Sequence, residues 1–242
     1  MNPPRRSCAR RLLALGVAAL ALLLGGCVYL RLLELKFQLD KFDQNFALRT
    51  ADGLTIICQK PVMRTGDVRW FGVMPETIRR LGRAEEWQVR WVKQLSPGTV
   101  EDQVYDIVLD LAFADDKLTR VGIAEKYFAV MPKAFLVGVI KSFGRGKIDQ
   151  SGKKIESSLS AAEMASSRPK LTAVDALLGA PTERKTEENL TTLRYRYVPA
   201  TKESRAGVFD MILQFDSKSG ELATWQAVTR VGKLGFNIAQ PK

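Results

Sequence analysis

Residues 209–222 read FDMILQFDSKSGEL, and residues 105–118 read YDIVLDLAFADDKL. An aromatic, an Asp, three aliphatics, an alternating tail, a polar turn and a Leu follow in the same order in both. The match extends upstream, where Val89-Arg90-Trp91 stands 104 positions before Leu193-Arg194-Tyr195, the same offset that separates Tyr105 from Phe209 and Leu118 from Leu222. Alternation within each stretch puts Tyr105, Ile107, Leu109 and Leu111 on one face, and Phe209, Met211, Leu213 and Phe215 on the corresponding face of the second copy. The opposite faces carry Asp106 and Asp110, then Asp210 and Gln214. Leu81-Gly82 and Leu178-Gly179 each read as the end of a short helix, the first opened by Pro75. The predicted fold class is α+β: two tandem units, each a short helix and an antiparallel three-stranded meander, behind an N-terminal helix.

The 242 residues are 46% hydrophobic and 26% charged, a composition that buries a core and does not suggest disorder. The N-terminus carries Arg5, Arg6, Arg10 and Arg11, then an apolar run over residues 12–24 and small residues, the layout of a secretory signal. Leu24-Gly25-Gly26-Cys27 resembles the lipobox of bacterial lipoproteins, which makes residues 1–26 a signal peptide and Cys27 the expected site of diacylglycerol attachment. Val28 follows where an inner-membrane retention Asp is absent, so the resemblance implies the periplasmic face of the outer membrane. The alternative is an uncleaved inner-membrane anchor, because residues 12–30 are almost wholly apolar and just long enough to span a bilayer. Removing residues 1–26 takes away four Arg and no acid, lowering the formal charge from +11 to +7. No nucleic-acid partner is expected, and Cys58 alone builds neither a disulfide nor a thiolate metal site.

Along the rest of the chain, LRLLELKFQLDKFDQNF (residues 30–46) lacks Val, Ile and Thr and predicts a helix. Residues 27–46 then form a membrane-proximal helix, and residues 47–131 the first unit, opened by a hairpin turning at Asp52-Gly53. Residues 132–147 form a basic, apolar connecting helix that starts at Pro132 and ends near Gly144, and residues 148–242 the second unit. Between Lys133 and Lys154 six basic residues stand against Asp149. That helix either packs across the sheets or rests Lys133, Lys141, Arg145 and Lys147 on anionic lipid.

The stretch LSAAEMASSRPKLTAVDALLGAP (residues 159–181), with LRYRYVP and ILQFDSKSGELATW after it, resembles the SmpA/OmlA (BamE-like) family of outer-membrane lipoproteins. The likeness covers residues 159–226 through Leu178-Gly179-x-Pro181 and Phe215-Asp216, and departs at Lys170-Leu171-Thr172, where Gly-Met-Thr is usual. As a tandem pair the layout is similar to the β-lactamase-inhibitory proteins. Both resemblances imply a non-enzymatic protein-binding or assembly module of the cell envelope, serving outer-membrane protein assembly or envelope integrity, or inhibiting an envelope enzyme. The expected partner surface is the polar sheet face at Arg90, Asp106, Asp110, Arg194, Arg196, Asp210 and Gln214.

The chain contains no His, which removes Ser-His and Cys-His nucleophile pairs and the commonest metal ligand. A Lys-dependent serine hydrolase would have to use Ser151-x-x-Lys154 or Lys218-Ser219-Gly220. The first lies in a Gly/Lys-rich linker and the second in a predicted hairpin turn. Gly144-Arg145-Gly146-Lys147 fails the phosphate-loop spacing. No cofactor, metal or catalytic residue is expected.

Overall fold

The computed structural model describes residues 28–96, 99–101, 105–129, 131–149, 154–159, 168–203 and 206–238. The signal-like leader with Cys27, and Ser151, lie outside them. Helix α1 (Val28–Asp40) and the short turn α2 (Phe42–Asn45) lead into the hairpin β1 (Phe46–Arg49) and β2 (Leu54–Cys58). Gly53 makes that turn possible. Its φ is +106°, and a Cβ there would stand 2.4 Å from the Ile123 carbonyl oxygen, so any other residue would push the hairpin off its neighbour.

The chain continues through α3 (Thr65–Trp70), β3 (Thr77–Leu81), β4 (Ala84–Ser96), β5 (Thr99–Glu101), β6 (Ile107–Ala114) and β7 (Lys117–Ile123). A 3₁₀ turn over Glu125–Ala129 precedes α4 (Lys133–Gly144), β8 (Lys147–Asp149) and β9 (Lys154–Leu159). Last come α5 (Leu171–Leu178), β10 (Glu183–Glu187), β11 (Leu190–Pro199), β12 (Phe209–Asp216), β13 (Leu222–Thr229) and β14 (Lys233–Ile238).

These strands form one 14-stranded sheet, not two separate helix-and-meander units. Its main path is β1-β2-β7-β6-β4-β11-β12-β13-β14-β9-β8, with β3 and β5 on β4 and β10 on β11. The expected tandem arrangement is therefore corrected at three places. First, β4 and β11 pair directly, Arg196 opposite Gln94 and Pro199 opposite Trp91, so backbone hydrogen bonding runs across the expected boundary. Second, the sheet is mixed, because β14 runs parallel to β9 from Lys233/Lys154 to Ile238/Leu159. Third, the helix expected between Pro75 and Gly82 is strand β3, paired with β4 through a two-residue turn at Gly82-Arg83. Gly82 has φ +61°, which fits the first central position of a tight hairpin turn as well as it fits a helix stop. Arg79 faces Glu86 and Arg80 faces Glu85 across that hairpin, pairings that a helix would not make and that favour the strand.

The 104-residue correspondence persists strand by strand inside this one sheet. Trp91 pairs with Ile107, and Tyr195 pairs with Met211. The third strand is slid by two residues, Leu111 opposite Val121 but Leu213 opposite Trp225, and a two-residue slide keeps every side chain on its face. Because β4 and β11 run antiparallel, equivalent residues meet around a local two-fold centred on the pair Lys93/Tyr197.

One face of the sheet is covered. Trp87, Val89, Trp91, Leu111, Phe113, Leu193, Tyr195, Tyr197, Leu213, Phe215 and Phe236 form a continuous core with Val174 and Leu178 of α5 and Phe135 and Val139 of α4. The connecting helix is apolar on several sides because it is wedged between layers: Leu136, Val137 and Ile140 turn toward Phe42, Phe46, Leu54 and Ile56. Its C-terminus presses on α1 so closely that a Cβ at Gly144 would lie 2.1 Å from the Asp40 nitrogen. Lys93 also points inward. It is fully buried and its Nζ donates to the Leu178 carbonyl at 2.5 Å, occupying an orphan carbonyl at the end of α5.

Candidate functional site

Strand alternation leaves the second face of the sheet to mostly polar residues, interrupted by Val92, Val108, Val198, Ile212 and Val228. The seven residues expected to form a partner surface do share this face, but they divide into two ion-paired clusters, with Gln214 and Asp110 outside both. Arg90 donates to Asp106 at 2.9 Å and pairs with Glu76 at 3.2 Å. At the equivalent place Arg194 donates to Asp210 at 2.7 Å, with Glu183 at 3.6 Å. Arg196 lies 3.9 Å from Asp210. Hydrogen bonding to Asp210 holds the Arg194 guanidinium even more firmly protonated than usual. The two copies differ in burial: the Asp106 side chain is 6% exposed and Asp210 14%. Asp106 is further walled by Tyr127, whose hydroxyl donates to the Asp106 carbonyl and accepts from the Val108 N–H, both at 2.6 Å. Burial pushes the Tyr127 phenol up to about 12. Gln214 bridges neighbouring strands, donating to Thr192 at 3.4 Å and accepting from Thr224 at 2.7 Å.

Asp110 belongs elsewhere. It lines an open groove of about 590 Å³ on the same face, floored by Gln88, Asp110 and Gly122 and walled by Thr77, Arg79, Glu86 and Arg120, with Asp52 and Glu125 at one end. Five strands build it: β3, β4, β6, β7 and β2. Gly122 gives the floor its depth, since a Cβ there would touch Asp110 Cβ at 3.3 Å. Along the wall Glu86 bridges two guanidiniums, Arg79 at 2.6 Å and Arg120 at 3.1 Å. The Arg79 hydrogen bond and charge, with a smaller contribution from Arg120, hold the Glu86 carboxyl below its ordinary range. The groove thus presents an ion-paired guanidinium–carboxylate–guanidinium row beside a polar floor, a surface that fits hydrogen-bonding and charged groups of an extended chain.

Sequence reasoning missed Arg79, Glu86, Gln88, Arg120 and Gly122. With residues 75–82 read as helix, β3 was absent from the sheet and the groove had no second wall. The signal was present in RRLGRAEE (residues 79–86), whose basic and acidic pairs mirror one another about Gly82-Arg83.

The basic residues of the connecting helix are not gathered on one open surface. Lys133 donates to the Thr50 carbonyl at 3.2 Å, and Lys141 pairs with Asp43 at 2.8 Å. Arg145 and Lys147 are exposed beyond the helix end. The Lys218-Ser219 fragment is an Asp-capped turn: Asp216 accepts from the Lys218 N–H, the Ser219 N–H and the Ser219 hydroxyl at 3.1, 2.7 and 2.9 Å, which lowers its carboxyl pKa and commits the serine to the turn. Cys58 is half-buried at the edge of the N-terminal cluster. No helix among the described residues is long and apolar enough to cross a membrane. A scan of protein-family models, a search of curated proteins and a search of solved structures each returned no match to this chain.

Proposed function

We propose that the chain is a membrane-tethered, non-enzymatic binding module of a bacterial cell envelope, and that its partner lies along the uncovered face of the sheet, centred on the groove at Gly122. The observation that carries this reading is the asymmetry of the sheet. One face is sealed by α4 and α5 over a core of large aromatic side chains, while the other is a mostly polar surface with a depression of about 590 Å³ and an ion-paired Arg79–Glu86–Arg120 row. The envelope address rests on the Arg-rich leader and on Cys27, and the SmpA/OmlA resemblance of residues 159–226 suggests outer-membrane protein assembly or envelope integrity as the process served.

The test is photo-crosslinking in living cells, with a photoreactive amino acid placed at Gln88 or Arg120 in the groove and at Glu156 or Ser158 on the far strands of the same face. The reading expects a discrete protein adduct from the groove positions and none from the far ones. Adducts only from the far positions, or from no position on this face, would refute it.

A further inference from the structure

The outward side of α1 is apolar, which is the reverse of what a helix on the surface of a soluble domain shows. Tyr29 and Phe37 are each 61% exposed, Leu30 46% and Leu33 41%. Tyr29, Leu33 and Phe37 follow at intervals of four along one stripe. Trp70 of α3, 40% exposed, joins the patch edge-on to Tyr29 at 5.6 Å. Of the seven large hydrophobic side chains exposed among the described residues, five are in this one patch.

The patch is held rigidly. Arg31, on the inward side of α1, grips Asp67 of α3 with two hydrogen bonds of 2.6 and 2.5 Å. The helix therefore cannot roll to hide its apolar stripe. Lys36 extends toward the Phe37 ring, 5.9 Å from its centroid, as a basic residue does when its stem lies at a lipid boundary and its ammonium reaches for phosphate. Two exposed acids, Glu34 and Asp40, stand on the same side of the helix. Directly upstream in sequence is the apolar run over residues 12–24.

We propose that α1 lies flat in the headgroup region of the bilayer, with Tyr29, Leu33, Phe37 and Trp70 as its lipid contacts. This rests on the membrane-tether reading and adds an orientation to it. The aromatic residues sit where amphipathic rings favour a membrane interface, and an interfacial helix buries its apolar face roughly 5–10 Å into the headgroup boundary. A helix continuing upright from an anchor would instead carry Phe37 about 12 Å beyond Tyr29 along its axis, out of reach of the acyl chains.

The experiment uses the full chain, reconstituted in vesicles of phosphatidylethanolamine and phosphatidylglycerol that contain spin-labelled phosphatidylcholine. Flotation reports tethering, and fluorescence of Phe37→dansylalanine, against Ser158→dansylalanine on the open sheet face, reports contact. The expected result is a floating chain whose label at position 37 is quenched to about half or less, as for a group within the interfacial layer, while the label at 158 is unaffected. Adding Leu33→Asp, at an exposed position, should restore the fluorescence without changing the unfolding midpoint. A chain that floats but shows no quenching at 37 overturns the orientation and leaves the tether standing. A chain that does not float removes both. A blue-shifted but unquenched label at 37 would mean that a second protein chain covers the patch, and would also overturn the proposal.

Discussion

The Arg31–Asp67 contact offers the sharpest energetic prediction, because both of its members are well buried, Asp67 more deeply than Asp106 of the Arg90 pair. The Asp67 side chain is 3% exposed and that of Arg31 19%. Besides its two bonds from Arg31, Asp67 accepts, among the described residues, from the Arg64 N–H at 2.8 Å. Arg31→Met leaves that carboxylate buried with a single neutral donor. Removing one partner of a buried pair costs about 3–5 kcal/mol. The surviving Arg64 bond and water admitted beside a shorter side chain reduce this, so roughly 2–3 kcal/mol is expected. The pH dependence follows from the direction of the Asp67 shift: burial pushes the carboxyl up, but the Arg31 hydrogen bond, the Arg64 N–H and the two positive charges together bring it below the ordinary value. A carboxyl depressed in the folded state stabilises above its unfolded pKa, about 4, and loses that contribution as pH falls through the folded value. Urea unfolding of wild type and variant, followed by Trp fluorescence, should therefore show the full difference near pH 7 and a shrinking one below about pH 4. A difference under about 0.5 kcal/mol near neutrality, or one that grows on acidification, would refute the reasoning.

Three further outcomes follow from the packing. Gly53→Ala should destabilise by more than about 2 kcal/mol, since it combines a strained φ with a backbone clash, whereas Gly66→Ala, with nothing within 4 Å, should stabilise by roughly 0.5 kcal/mol; thermal unfolding distinguishes them. The Cys58 thiol, pushed up to about 11 by burial, should resist alkylation near pH 7 in the folded chain and react fully in denaturant, as read by mass spectrometry. Arg120→Glu should leave the unfolding midpoint unchanged while abolishing groove crosslinks, because Arg120 is exposed and its role is to complete the charged row; unchanged crosslinking would remove Arg120 from the binding surface.

How far the sequence leads can be judged element by element. Local composition and spacing indicate a helix over residues 30–46, one from Pro132 to near Gly144 and one stopping at Gly179, the turn at Gly53, and the sides on which Tyr105 to Leu111 and Phe209 to Phe215 lie; the structure shortens the first, which ends at Asp40 and gives way to the turn Phe42–Asn45 and strand β1 at Phe46. The pairing of β4 with β11 is not visible in this way. It joins Trp91 to Pro199, far apart in the chain, through backbone bonds that leave no mark on residue type. The edge strands β8 and β10 carry exposed side chains throughout, so they show no hydrophobic alternation to read. At residues 75–82 a Pro and a Gly in helix-boundary positions outweighed the complementary charges that fix a hairpin. The groove then went unseen, because it needs β3 beside β4 and Gly122 opposite Asp110, two non-local facts.

The account depends most on the junction between β4 and β11, which turns two repeated stretches into one sheet with a single open face. Amide hydrogen exchange on the full chain tests it directly. The amides by which residues 91–94 and 196–199 pair should exchange as slowly as those between β4 and β6, through global unfolding. Rapid exchange along that junction, with the flanking strand pairs still protected, would show two separate sheets and contradict the continuous face on which the binding proposal stands.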